Sequence, residues 1–286
     1  MTKLSQSAKK GIYLLPNLFT TGALFAGYYS IIASINGRYE IAAIVIFIAA
    51  LLDGLDGRVA RLTNTQSAFG EQYDSLSDLI SFGLAPSLLM YNWSLHFMAD
   101  IHPIMGKIGW LVAFIYAVSG ALRLARFNVQ IGSVDKAYFQ GLPSPAAAAL
   151  VCSFVWVAVD HDFTGESLQF VSLVVTLLAG LLMVSRFRYY SFKTLPFKET
   201  VPFVWILLLV LIFVLLALAP AKVLFVVFAL YALSGVLMTV YNLKQKRGKK
   251  KQGRKNSKIV DESKNLDNKD LDNKGLDNKG LKNKDK

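Results

Sequence analysis

Four aspartates fall within 26 residues: Asp53 and Asp56, three apart, and Asp74 and Asp78, four apart, in the stretch D-G-L-D-G-R-V-A-R-L-T-N-T-Q-S-A-F-G-E-Q-Y-D-S-L-S-D. Residues at these spacings share one face of a helix. Each pair therefore projects two carboxylates in one direction, and two such helices side by side would make a four-carboxylate cluster. Like charges at that range resist ionisation unless a cation neutralises them. An all-oxygen donor set suits a hard divalent ion, Mg²⁺ or Mn²⁺, which keeps part of its shell for phosphate oxygens, so the centre expects a phosphorylated substrate. Between the pairs, Gly57 and Ala60 leave room for a ligand to approach backbone, Arg58 and Arg61 can neutralise phosphate, and Gly70 opens the second helix. The alternative is a solvated acidic loop.

The elements that must carry these residues are membrane helices. The chain has 286 residues, 54% hydrophobic and 17% charged, with mean hydropathy +0.43, too apolar for a soluble domain of this length. Residues 18–35 carry no charge, enough for a first span after Pro16-Asn17. Residues 1–15, with Lys3, Lys9 and Lys10, read as a retained, basic and amphipathic interfacial segment rather than a cleaved signal peptide. A second helix runs from Glu40 through the uncharged 41–52 into Asp53, and a third begins near Gly70, carries Asp74 and Asp78 in its first two turns and continues to 95. Further spans are expected at 108–122, 144–159, 168–185, 200–219 and 223–243, an all-α polytopic bundle of about eight transmembrane helices.

Charge sets the expected orientation. Connections 1–15, 54–70, 123–143 and 186–199 hold twelve Lys and Arg, whereas the alternate connections hold only Arg38, Lys107 and Lys222. This asymmetry predicts a multi-pass protein of the cytoplasmic (inner) membrane with both termini and the aspartates on the cytoplasmic side. Of the net charge of +12, residues 244–286 supply +9, from sixteen basic and seven acidic residues. That tail repeats Leu266, Leu271, Leu276 and Leu281 at a period fitting neither helix nor strand, and reads as a disordered basic low-complexity segment drawn to membrane lipids, not to nucleic acid. The lone Cys152 lies in an apolar run and reads as a buried structural thiol. His96, His102 and His161 fall on the face away from the aspartates and read as ordinary surface residues. Arg123 and Arg126, three apart and level with the aspartates, could hold a lipid phosphate or an amino-acid carboxylate, or could snorkel to headgroups. The basic run Arg186, Arg188 and Lys193 faces the same choice.

The full pattern D-x-x-D-G-x-x-A-R, eight residues, then G-x-x-x-D-x-x-x-D, is filled at every position by Asp53, Asp56, Gly57, Ala60, Arg61, Gly70, Asp74 and Asp78. It resembles the signature of the CDP-alcohol phosphotransferase family, integral membrane enzymes in which an alcohol displaces CMP from a CDP-linked substrate. P-N-L-F-T at 16–20, D-S-L-S-D-L-I-S-F-G-L-A-P at 74–86, L-R-L-A-R-F-N at 122–128, F-Q-G-L-P-S-P-A-A-A at 139–148 and R-Y-Y-S-F-K at 188–193 are similar to its serine-using branch. The resemblance implies CDP-diacylglycerol and L-serine as substrates, phosphatidylserine as product, and a homodimer. It implies Asp53, Asp56 and Asp74 as metal ligands, and Asp78 as both ligand and catalytic base. Gly57, Ala60, Arg61, Ser67 and Gly70, with Asn17 and Thr20, would contact the CDP portion, leaving Arg123, Arg126 and Lys193 for the acceptor. The implied organisation is the segment 1–15, a core at 16–195, two helices beyond the six-helix family core at 196–243, and the tail at 244–286. Another alcohol acceptor (glycerol 3-phosphate, inositol phosphate or choline) is the alternative within the class. A carboxylate-lined cation transporter is the alternative outside it, disfavoured because the aspartates sit near one face among Gly and Arg.

Overall fold

The computed structural model describes residues 6–130, 138–190 and 203–239. The chain divides into two units, Met1–Val236 and Leu237–Lys286. The first carries everything below; beyond Thr239 the second lies outside the described residues, as do Lys193 and the expected disorder of the tail.

Helices α1 (Gln6–Ile35) and α2 (Tyr39–Leu62) form a hairpin. Its contact surface is built from small residues, with Ala33, Ala42 and Ala43 fully buried and the Ser30 hydroxyl donating to the Ala42 carbonyl at 2.7 Å. Without a hydrophobic drive between helices in lipid, such close backbone approach and inter-helix hydrogen bonds do the work. Sequence reading placed the start of the first span at Pro16, but α1 runs through Pro16 from Gln6. A proline costs the helix one N–H, which a membrane helix tolerates where other groups or water satisfy the freed carbonyl.

The third passage is α3 (Ala68–Asp78), a π-helical segment (Leu79–Leu84) and α4 (Ala85–Trp93). Pro86 explains the break. It has no N–H for the carbonyl four residues back, Phe82, and that carbonyl instead accepts the hydroxyl of the buried Tyr116 at 3.2 Å, while the Ala85 N–H reaches back to Ile80. The segment packs so tightly on α1 that a Cβ added at Gly27 would lie 2.5 Å from Ser81 Oγ.

A short 3₁₀ turn (Leu95–Phe97) and α5 (Met98–Ile101) lead into α6 (Pro103–Gln130). At 28 residues α6 is longer than the expected span, so Arg123 and Arg126 lie inside a helix, not at its end. After α6 come strand β1 (Tyr138–Gln140), α7 (Ser144–Asp160), α8 (Gln169–Val184), β2 (Arg188–Tyr190), α9 (Phe203–Leu218) and α10 (Pro220–Thr239). The all-α expectation thus needs one correction: β1 and β2 pair antiparallel, Phe139 opposite Tyr189. Two connections expected on the same side of the membrane meet and satisfy each other's backbone. Gly141 ends β1 at φ +82, and a Cβ there would sit 2.2 Å from the Met183 carbonyl oxygen.

Among the described residues three helices are long and apolar enough to cross a membrane, Leu15–Ile35, Pro103–Val129 and Pro220–Thr239, and Ser144–Asp160 and Gln169–Val184 are shorter apolar helices. The second and third passages lack such an uninterrupted stretch because they give their adjoining ends to the charged motif. Cys152, fully buried in α7, is part of the core with Phe82, Tyr116, Val151 and Val155.

Candidate active site

The aspartate motif is a helix, a tight turn and a second helix. α2 continues through Asp53, Asp56 and Arg61 and closes with the Thr65 N–H on the Ala60 carbonyl at 3.0 Å. Asn64 takes the left-handed conformation at φ 53, which Asn adopts more readily than most residues. Ser67 then caps α3, its Oγ accepting the Gly70 N–H at 3.0 Å. This reversal lays the Asp74 and Asp78 face of α3 against the Asp53 and Asp56 face of α2.

One carboxylate oxygen from each of Asp53, Asp56 and Asp74 lies within 4.8 Å of the others. Asp53 also lies against Asp78, so the fourth carboxylate joins the cluster. Asp56 is buried, its Oδ2 accepting the Thr20 hydroxyl at 2.6 Å. Thr20 is itself placed by α3, because Ser77 Oγ donates to the Thr20 carbonyl at 3.2 Å and Ser81 Oγ to that of Ala23 at 3.0 Å. Oδ1 of Asp74 and Oδ1 of Asp78 are buried with no hydrogen-bond partner among the described residues. A buried carboxylate oxygen without a partner is costly. A converging set of carboxylate oxygens, two of them unsatisfied, fits a hard divalent cation and suits little else.

Beside the cluster is a cavity of about 270 Å³. Its wall includes Asn17 and Thr20 from α1, Asp56, Gly57, Ala60 and Arg61 from α2, and Ser67, Gly70, Asp74 and Asp78 at the start of α3. Asp53 lies behind this wall, and Arg58, although exposed, is not on it. The far wall was not anticipated: Thr65, Gln66, Glu71 and Ser75, faced by Leu124, Phe127 and Asn128 of α6. Asn128 Nδ2 donates to Ser75 Oγ at 3.0 Å, linking α6 to α3 next to Asp74. The available signal was Leu124 and Asn128 four apart, which puts an amide on an otherwise apolar helix face.

Arg123 and Arg126 diverge. Arg123 turns to the back of the cluster: its charge lies near Asp78 and Asp53, Nη1 donates to the buried Ser144 Oγ at 2.7 Å, and the guanidinium stands 5.9 Å from the Phe127 ring centre. Arg126 gives its protons to backbone, to Gln140 O at 2.7 Å, Val184 O at 2.9 Å and Met183 O at 3.1 Å. It ties the C-terminus of α8 to the end of β1 and is not on the cavity wall. His96 and His161 contact the carbonyls of Tyr91 and Val157, and His102 accepts the Ile104 N–H, all remote from the aspartates.

Residues 13–185, which include the whole motif and the helices around it, match the family model described as CDP-alcohol phosphatidyltransferase. The chain belongs to that family. A Helicobacter pylori (strain ATCC 700392 / 26695) protein named CDP-diacylglycerol–serine O-phosphatidyltransferase is 38% identical over 230 residues, covering 80% of this chain and 92% of its own length. A Mycobacterium leprae protein of the same name is 30% identical over 226 residues, 77% of this chain and 72% of the relative. The archaetidylserine synthase of Methanothermobacter thermautotrophicus is 37% identical over 177 residues, 61% and 69% of the two chains. As a CDP-alcohol phosphatidyltransferase the chain is an enzyme, and its carboxylate centre and cavity lie inside the family-matched segment. α9 and α10 lie beyond it.

Proposed function

We propose that the protein transfers a phosphatidyl group from CDP-diacylglycerol to L-serine, giving phosphatidylserine and CMP, with Mg²⁺ or Mn²⁺ held by Asp53, Asp56, Asp74 and Asp78. The observation that carries the reading is the carboxylate centre with two unsatisfied oxygens on the wall of the cavity. The names of the relatives supply the acceptor. What a divalent cation supplies at such a centre is neutralisation of the diphosphate and of the departing CMP.

The chain's own residues do the rest. Gly57, Ala60 and Gly70 leave the cavity open along α2 and α3 for the cytidine diphosphate, Arg61 and Ser67 offer donors to its oxygens, and Asn17 and Thr20 close the α1 side. Asp78 takes the proton of the serine hydroxyl as that oxygen bonds to the β-phosphorus, and the bond from this phosphorus to the bridging oxygen breaks to release CMP. Charge neutralisation and in-line positioning suffice for this transfer, so no covalent enzyme intermediate is invoked. Arg123 supports Asp78 from behind, Lys193 is assigned to the serine carboxylate, and Arg126 acts through the ribbon and α8 it holds. The protein acts in the cytoplasmic membrane as a homodimer of eight-helix subunits, with the aspartates and both termini on the cytoplasmic side.

The test is CMP release by purified protein given CDP-diacylglycerol, Mg²⁺ or Mn²⁺, and one acceptor at a time: serine, glycerol 3-phosphate, inositol, inositol phosphate or choline. Serine-dependent release with phosphatidylserine as lipid product is expected. Release with another alcohol and none with serine would overturn the acceptor and leave the reaction class standing.

A further inference from the structure

The two helices beyond the family-matched segment differ in how they meet the core. α9 is apolar along its whole length, and its described side chains, among them Leu211, Phe213 and Leu218, stand out from the molecule. α10 instead turns one face inward, with Phe225 5.9 Å from the Phe154 ring of α7 and Phe228 6.4 Å from the Phe47 ring of α2. Residues 225, 228, 231, 232 and 235 recur at three- and four-residue intervals, the signature of a single buried stripe. One turn on, the Tyr189 hydroxyl of β2 donates to the Ala232 carbonyl at 3.0 Å, and the Tyr189 and Tyr231 rings meet at 5.5 Å. Gly235 makes room for that ring, since a Cβ there would lie 2.3 Å from it.

Tyr231 therefore enters the protein beside the ribbon, and it reaches the one cation behind the carboxylate cluster that Ser144 also holds. Arg123 and Tyr231 interact electrostatically, and Arg123 in turn lies near Asp78 and Asp53. An arginine on a long flexible side chain acts as a fixed charge only when its fork is held from several directions. Here α7 supplies Ser144, α6 supplies the Phe127 ring, and α10 supplies Tyr231.

We propose that Tyr231 is a positioning residue for Arg123, so that α10 completes the support of the active site from outside the family-matched segment. Tyr189 is the latch that seats it, by its hydrogen bond to the Ala232 carbonyl. The inference rests on the reading of Asp78 as the base, because Arg123 is taken to act through it.

The experiment compares full-length wild type with Tyr231→Phe, Tyr189→Phe and Leu230→Ala, the last on the exposed face of α10. CMP release is measured as kcat and KM for each substrate, and thermal unfolding is followed in the same detergent. Tyr231→Phe keeps the ring and removes the hydroxyl. The expected result is a fall in kcat of about tenfold with KM for CDP-diacylglycerol and Tm unchanged, a smaller fall for Tyr189→Phe, and wild-type behaviour for Leu230→Ala. Wild-type kcat for Tyr231→Phe, or a loss that follows a lowered Tm, would overturn the proposal. If another alcohol and not serine drives release in the wild type, the comparison is run with that acceptor: the acceptor assignment then fails, and the role of Tyr231 is decided all the same.

Discussion

Arg123 and Arg126 lie one turn apart on the same helix, yet they serve two regions with opposite needs. Around Arg123 the chain gathers carboxylates, and the guanidinium is a charge set behind Asp78 and Asp53. Around Arg126 there are only carbonyls, those of Gln140, Met183 and Val184, and the same group acts as a multiple donor that closes a helix C-terminus and a strand end. Spacing told that the two share a side of the helix; the partners each meets, fourteen to fifty-eight residues away, decided their roles. The lesson is that a pair of cations beside an acidic cluster need not both belong to it.

The comparison can be broken by asking whether each region loses turnover or loses stability. The largest effect is expected at Asp78→Asn, which keeps shape and removes the base: kcat should fall by about 10²- to 10⁴-fold with Tm near wild type. Wild-type turnover in a folded Asp78→Asn protein would remove Asp78 from the role of base. Arg123→Lys keeps the charge and loses the fork, so a drop in kcat of about ten- to a hundredfold is expected, again with little change in Tm. Arg126→Gln should reverse this pattern. Leaving the α8 carbonyls short of donors should lower stability by about 1–3 kcal/mol, read as a fall in Tm, while kcat of the folded fraction stays within a few-fold of wild type. A double-mutant cycle sharpens the contrast: Arg123 should couple to Asp78 and Arg126 should not. Smallest of all, truncation after Lys251 should leave kcat in detergent unchanged; a loss there would give the tail a part in catalysis.

Much of the catalytic centre was legible because it is local. Two pairs at helical spacing, separated by a run with turn-forming Asn64 and a capping Ser67, specify a helix reversal that sets four carboxylates together with no knowledge of the rest of the chain. What long-range packing supplies was not legible. The hydrogen bond from Thr20 to Asp56 joins residues 36 apart, and no local signal marks it. Pro86 was visible, but the π segment it causes depends on Tyr116 reaching the Phe82 carbonyl across a helix interface. The ribbon escaped notice because each strand is three residues long, below the length at which alternation can be read, and exists because two connections meet. Asn128 was quoted within a motif yet unassigned, since its partner Ser75 lies 53 residues away.

The central claim is that the four aspartates form a divalent-cation centre on which turnover depends, and the most direct test is metal removal and return. Protein freed of metal with EDTA should release no CMP from CDP-diacylglycerol, and added Mg²⁺ or Mn²⁺ should restore release in the wild type but not in a folded Asp56→Asn or Asp74→Asn variant. Full turnover in excess chelator, or restoration of both variants at wild-type metal concentrations, would contradict the account.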